Sequence, residues 1–446
     1  MNQKTQTFKG FWRAFALPLV SCSARCNAQR SNTQRGRALR GSAIATLLIV
    51  FALSLLVGGC GRKGLNGTDG PNGGSGKAGK SISIKASTAK VGSTKTVYAG
   101  NTRTTGDTEY IYWVANDQIT ITCPQDYYKA YSADYKLTPV GGDATKALVT
   151  TVSNDLYWNY SSGTHYFYGL YPASNSITDS DAKAATSLTK DGLFNGYIPA
   201  SQLTSGKSTI AASGSEPMIT VYAPVMQNLP MWSGTSAAKE SDGVSLIFRP
   251  AATAFEFTLK GELTEEIEIV SIELTSVKET TLPSCALSGP FTGKIAQGGA
   301  SISYKSADGG NIPAATASNN SVSVTLDSDA KLSTTKAARA TLFTLPASRI
   351  SGKEGKLTDI KLTVNMKQGS ATFKRTLFLK DKSTGNMKEF DCTKKFLITL
   401  SVPTFKDCTF SIINVDPLTA TASDITTRNV DVELFDDSDY GDILLW

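Results

Sequence analysis

From residue 81 onward, apolar and polar positions alternate in short runs. Residues 81–86 (SISIKA), 110–113, 118–122 (QITIT) and 147–152 have a period of two; residues 163–171 (GTHYFYGLY) are strand-like and aromatic, and 218–222 (MITVY) follow. Gly, Asn, Asp and Pro separate these runs, most sharply at Gly141-Gly142-Asp143. Short β-branched and aromatic runs between such breaks predict antiparallel strands, because successive side chains of a strand point to opposite faces. A small, polar stretch, 232–243 (WSGTSAAKESDG), breaks the pattern, and the two halves are expected to join near residue 240. Beyond it Val244, Leu246 and Phe248 share one face, and Phe255, Phe257 and Leu259 another. Ile267, Ile269, Ile272 and Leu274 follow, then Ile302 and Tyr304, then Val322, Val324 and Leu326, then runs at 342–345, 362–366, 376–379 and 396–402. No long run has helical period. The expected fold is all-β, with two tandem Greek-key β-sandwich domains at 81–240 and 241–428.

Residues 43–57 (AIATLLIVFALSLLV) form an almost unbroken apolar run, short for a membrane span and right for a signal-peptide core. Arg37 and Arg40 precede it, and Val57-Gly58-Gly59-Cys60 ends it. Two small residues before a cysteine let a lipoprotein signal peptidase reach the backbone. Residues 1–59 are therefore expected to be a signal segment and Cys60 the lipidation site, where two or three acyl chains anchor stably. A membrane helix followed by a chance cysteine is the alternative. Residues 60–80 are glycine-rich and read as a flexible tether.

The formal charge of +7 suggests a polyanion partner until it is located. Residues 1–59 hold eight basic residues and no acidic one; taking those eight from 45 leaves 37 basic against 38 acidic residues. Nucleic acid is thus not an expected partner. Past Cys60 the cysteines are Cys123, Cys285, Cys392 and Cys408. Cys392 and Cys408 flank one expected strand and are the best disulfide candidates; four buried thiols are the alternative.

Catalysis has little to work with. The single histidine, His165, lies in an aromatic run and reads as a space-filling strand residue. No His/Cys cluster has zinc spacing and no glycine loop carries a phosphate-binding lysine. No catalytic residue, metal or cofactor is expected, and the chain is not read as an enzyme. The acidic run Asp436-Asp437-Ser438-Asp439-Tyr440-Gly441-Asp442 lacks the remote glutamate of a calcium loop and reads as a solvated turn. Tyr157, Trp158, Tyr160, Tyr166, Phe167, Tyr168 and Tyr171 could form a sugar-stacking platform, but more often such residues fill a core.

The order of short motifs resembles that of the fimbrillins, the type V pilus subunits of Bacteroidetes. After Cys60 and the run 81–86 comes a Thr-Arg step, Thr102-Arg103. The segment 113–119 (WVANDQI) is similar to the family's "W..GD.I", with Asn116 in place of Gly. Residues 166–172 (YFYGLYP) are similar to "F.AYYP", and 196–202 (GYIPASQ) to "G.IP..Q". Leu229-Pro230-Met231-Trp232 precedes 244–250 (VSLIFRP), similar to "V.L.F.H" with Pro250 in place of His. The resemblance spans most of 81–402. It implies two transthyretin-like sandwiches, export to the outer membrane as a lipoprotein, and cleavage by a trypsin-like protease at Arg103. Loss of the first strand would open a groove that a strand of a neighbouring subunit fills. The implied partners are other pilus subunits, the outer membrane through the lipid, and a host or bacterial surface ligand. Gly61-Arg62-Lys63 after the lipid site departs from the acidic residues common on surface lipoproteins.

A donor strand should be extended, alternating and terminal. Residues 429–435 (NVDVELF) qualify, with Val430, Val432 and Leu434 on one face and Asn429, Asp431 and Glu433 on the other. Residues 429–446 are the candidate donor segment; an ordinary last strand pair is the alternative. The expected function is a structural or accessory pilus subunit. Rival readings are a lipid-anchored glycan-binding protein and a pilus tip adhesin or anchor.

Overall fold

The computed structural model describes residues 80–88, 111–126, 131–141, 143–159, 162–239, 243–277, 285–346, 360–381, 394–405, 408–414 and 426–431. Regular structure among them is almost entirely β. Their longest helix, α1 (Ser180–Ala185), has six residues and is N-capped by Asp179, whose carboxylate accepts the Ala182 N–H at 2.8 Å.

Seven strands close a barrel: β1 (Ile84–Thr88), β2 (Gln118–Thr122), β3 (Ser132–Val140), β4 (Asp143–Thr151), β5 (Thr164–Tyr171), β10 (Met231–Ala238) and β11 (Val244–Pro250). Their order around it is β1-β11-β10-β5-β2-β3-β4. A four-stranded sheet runs β15-β14-β7-β6, from β6 (Ser187–Leu188), β7 (Leu193–Ile198), β14 (Gly289–Ile295) and β15 (Ile302–Ser303). Thirteen further strands make one large sheet. It begins with β20 (Ala371–Phe378), β19 (Ile360–Gln368), β13 (Ile267–Ser276), β16 (Ser321–Thr325), β8 (Ser201–Ile210) and β9 (Met218–Pro224). It continues through β18 (Lys336–Thr344), β12 (Thr253–Gly261), β22 (Lys394–Val402), β23 (Thr409–Asn414), β24 (Thr426–Asp431) and β21 (Lys380–Asp381), while β17 (Lys331–Leu332) pairs off this path with β13.

The alternation seen in the sequence becomes burial. Val244, Leu246 and Phe248 point into the barrel core, and Phe255, Phe257, Leu259, Ile267, Ile269, Ile272 and Leu274 into the core of the large sheet. The change of phase between Ile269 and Ile272 is a register shift opposite β19 between Ile269 and Ser271, which turns Val270 outward.

Three expectations change. The stretch 232–243 does not break the strand pattern over most of its length. Residues up to Ala238 form β10, which pairs with β5 over eight residues, from Met231↔Tyr171 to Ala238↔Thr164. Its small residues have a packing reason: a Cβ on Gly299 would overlap the Gly234 carbonyl, so two backbones meet there. Residues 111–113 are not a strand; Ile111, Tyr112 and Trp113 are buried in succession. The two cores also interleave in sequence. The junction expected near residue 240 falls within a pairing of the barrel, where Met231↔Pro250 and Trp232↔Arg249 join β10 to β11. Conversely β8 and β9, from before it, lie in the large sheet against β16 and β18.

Candidate functional site

The barrel is closed by β1, which uses both of its edges. One pairs parallel with β11, from Ile84↔Val244 to Thr88↔Phe248. The other pairs antiparallel with β4 through Lys85↔Leu148, Ala86↔Ala147 and Ser87↔Lys146. Just upstream, the Ile82 N–H donates to the Leu156 carbonyl at 2.8 Å, and the Trp158 N–H to the Lys80 carbonyl at 3.0 Å. At the other end the Thr88 hydroxyl donates to the Ile111 carbonyl. Ile82, Ile84, Ala86 and Thr88 are buried, whereas Ser81, Ser83 and Lys85 are exposed. The segment is thus a stave with an apolar inner face and hydrogen-bonded rims.

Through the Thr88↔Phe248 pairing its inner face adjoins a close-packed aromatic floor of the same core. Trp113 meets Phe248 and Tyr171 edge-on, with ring centroids 5.3 and 5.5 Å away. Gly169 is required beneath Phe248, since a Cβ there would sit 2.8 Å from Phe248 Cζ. Asn116 has φ of 76°, a left-handed conformation that asparagine adopts more readily than most residues other than glycine. Next to it Asp117 accepts the Val114 N–H at 2.8 Å and the Tyr171 hydroxyl at 3.1 Å. Burial raises the Asp117 carboxyl above its ordinary range, and these two bonds partly offset that.

The short segment flanking the upstream part of β1 is itself pinned. Asp126 accepts the Tyr157 N–H at 2.6 Å, and His165 Nε2 accepts the Asn159 N–H at 2.9 Å. Trp158 packs edge-on against His165 (4.8 Å) and Phe167 (5.9 Å). As an acceptor His165 must be neutral at Nε2, and burial lowers its pKa against a smaller opposing effect of Asp126. Chemically, the arrangement holds a strand. Its rims offer backbone donors and acceptors, and its floor offers apolar contact.

Of the residues singled out from sequence, Cys60 and Arg103 lie outside the described residues, as do Tyr160, Cys392, Val432, Leu434 and the acidic run 436–442. Val430 lies in β24, which pairs within the chain against β23 (Thr409↔Asn429 to Ile412↔Thr426) and β21 (Asp381↔Val430). Cys123, Cys285 and Cys408 are buried, and the candidate Cys392–Cys408 bridge depends on Cys392, which lies outside the described residues. Burial pushes the thiols of Cys123 and Cys408 up to about 12, which keeps them protonated and inert. Trp158, Phe167, Tyr168 and Tyr171 are buried and Tyr157 and Tyr166 half-buried, so they serve the core and do not present a platform.

Two arrangements were not readable from spacing. The Gln202 side chain clamps β8 to β18: its Oε1 accepts the Phe343 N–H at 3.0 Å and its Nε2 donates to the Phe343 carbonyl at 2.7 Å. The signal lay in the "G.IP..Q" turn. The other is Glu256 on β12, which accepts from Lys395 Nζ on β22 at 2.6 Å, with Arg339 Nε of β18 at 3.5 Å. The Lys395 and Glu256 side chains are 0% and 3% exposed.

No family model matches the sequence, and no curated protein matches it. Among solved structures, the chain is similar to a "putative cell adhesion protein" from Bacteroides uniformis at 12% identity, covering 79% of this chain and 97% of that one, with a TM-score of 0.39. A protein of the same description from Bacteroides ovatus is also 12% identical, over 81% of this chain and 100% of that one, with a TM-score of 0.39. A fimbrial assembly protein from Parabacteroides distasonis is 10% identical over 80% and 100%, with a TM-score of 0.30.

Proposed function

We propose that this chain is a structural or accessory subunit of a cell-surface pilus. It is exported as a lipoprotein held to the outer membrane through Cys60, then activated by cleavage after Arg103. A strand from a neighbouring subunit next enters the place of β1. In turn, residues 429–446 of this chain enter a neighbour's groove, led by Val430, Val432 and Leu434. The mature chain resides in the fimbrium.

The observation that carries this reading is the position of β1. It is the first described strand, both of its edges are paired, and β2 is the next described strand after it. A cut between residues 88 and 111 would separate it without severing any other described strand. Its departure would leave the rims of β4 and β11 unpaired over an apolar floor, at about 1–3 kcal/mol for each buried group left unmet. A strand supplied in trans would repair both. The motif order from residue 113 to 250 supports the same reading.

The test is N-terminal sequencing of the mature form in the producing bacterium, with Thr104 expected first. Arg103→Ala should leave an uncleaved chain that is missing from the ladders of linked subunits on denaturing gels. Cys60→Ala should abolish acyl labelling. Incorporation of uncut protein would refute the scheme.

The cis pairing of β24 favours a second reading, a tip or anchor subunit that accepts a strand but gives none. Removing residues 429–446 discriminates. A donor loses the ability to extend a pilus yet stays folded, whereas a subunit using β24 for its own sheet misfolds.

A further inference from the structure

We infer that the groove left by β1 selects a strand from a different kind of subunit, one that presents a small side chain followed two residues later by a hydroxyl, and rejects this chain's own terminal strand. The inference rests on the reading above and concerns the selectivity of the same groove.

The inner face of the segment reads Ile82, Ile84, Ala86, Thr88, all buried. The third position is narrow. Ala86 lies between Leu246 on β11 and Ala147 on β4, its direct partners in register, and all three are buried. A small barrel is packed to near-crystalline density, so two opposed alanines mean that larger side chains already fill the space above them. On β11 the buried side chains of Val244, Leu246 and Phe248 stand in register with Ile84, Ala86 and Thr88. A longer side chain at the third position would collide with that filling. The fourth position is polar. The Thr88 hydroxyl meets the Ile111 carbonyl, and an aliphatic side chain would take that bond away.

The terminal strand fits neither requirement. Its inner face would read Val430, Val432, Leu434. With Val430 at the place of Ile84, Val432 falls on Ala86 and Leu434 on Thr88. Shifted by two, Leu434 falls on Ala86 and Asp436 on Thr88. Shifted the other way, Val430 falls on Ala86 and Arg428 on Ile84. Frames that keep all three apolar residues in the groove, in either direction, bring valine or leucine to the alanine position. A one-residue slip would turn Asp431 and Glu433 inward. The groove and the donor of one chain are therefore mismatched, and successive subunits must be unlike.

Full-length protein cleaved by the activating protease, or by trypsin, is mixed with a labelled peptide of residues 80–88. The same peptide carrying Ala86→Val and Thr88→Leu is compared by fluorescence polarisation. At least tenfold weaker binding of the changed peptide is expected, and purified cleaved protein alone should form no ladder. Equal binding of both peptides would overturn the selectivity and leave the groove intact; so would laddering of the pure cleaved chain. Failure of the unchanged peptide to bind would overturn the groove itself, and the selectivity with it. A second arm needs no cleavage. Full-length Ala86→Val/Thr88→Leu should melt several degrees below the parent, and Ala86→Ser/Thr88→Ser close to it. A Val/Leu variant as stable as the parent would contradict the narrow third position.

Discussion

In the barrel, β1 is held through backbone pairing on both edges and, with Ile82 just before it, contributes only a thin inner face of two isoleucines, an alanine and a threonine. In the large sheet, β12 is buried on both faces from Thr253 to Leu259. One face carries Phe255, Phe257 and Leu259, and the other carries a charge, Glu256, between Lys395 and Arg339. In the proposed scheme a strand of the first kind can be replaced by another whose inner face matches it, because its rims are met by backbone hydrogen bonds. A strand of the second kind cannot, because its partners are specific side chains on β18 and β22. The strand that the proposed exchange would replace thus differs from one fixed by specific side chains.

The largest expected effect breaks the fixed region. Glu256→Ala would leave Lys395 buried without its partner, and losing one member of a buried pair costs about 3–5 kcal/mol. Replacing Glu256 and Lys395 together by methionine should restore much of that loss, since two apolar side chains need no partner. Urea unfolding measures both. If Glu256→Ala unfolds like the parent, the pair does not hold the sheet and β12 is no more fixed than β1.

Breaking the exchangeable region should cost less. Ile84→Ala removes three carbons from the inner face of β1, for about 2–3 kcal/mol at the low end of the range for such truncations. The site lies at the barrel margin, and Ile84 is 8% exposed. The loss should also show as faster exchange of the amides of β4 and β11 than of β12, which hydrogen exchange with mass spectrometry resolves. Uniform loss of protection across both regions would show that the barrel does not open on its own.

A smaller change sharpens the account of the floor. Gly169→Ala puts a methyl 2.8 Å from Phe248 Cζ, and overpacking of this kind costs about 1–3 kcal/mol. Pairing it with Phe248→Leu should recover part of the cost if the clash is the cause. No recovery would mean that the glycine serves the backbone of β5 instead.

The contrast between the regions also explains what could be read beforehand. Period-two runs such as 244–248 and 255–259 announced their strands, because one buried face is a local property. The slip from Ile269 to Ile272 was visible as a phase change, and the register shift accounts for it. Closure of the barrel was not visible. It joins Ile84 to Val244 across the whole intervening chain, and no local pattern encodes the partner. Strand β10 was missed because Ser233, Gly234 and Ser236 lack the hydrophobic alternation of the other strands, and Gly234 is small where its backbone meets that of Gly299. The Glu256–Lys395 pair was hidden for a related reason: each charge sits on an alternating strand at a position that normally faces water. In the candidate site, the first strand was legible from its alternation. The pinning roles of Asp126 and His165 were not, because both act through backbone N–H groups that sequence does not display.

The smallest expected effect concerns that pinning. His165 is buried in the fold and its pKa is lowered there, mainly by desolvation. Above the ordinary value of 6.5 neither the folded nor the unfolded chain carries the proton, and the contribution of His165 to stability is fully present. As pH falls below 6.5 the unfolded chain takes up a proton that the fold resists, so stability declines until the folded pKa is reached. Protonation also converts Nε2 from an acceptor into a donor facing the Asn159 N–H, which loosens the segment flanking Lys80 and Ile82. Asp117 acts with the opposite sign. Its raised pKa means that the fold gains a proton before the unfolded chain does, so acidification toward 3.8 favours the folded form there. The two are separable with His165→Asn, whose amide oxygen can still accept the Asn159 N–H but does not titrate. Between pH 7.5 and pH 5.0 the parent's melting temperature should fall by on the order of 1–2 °C more than the variant's. Equal declines in the two proteins would mean that His165 does not couple protonation to this edge of the barrel.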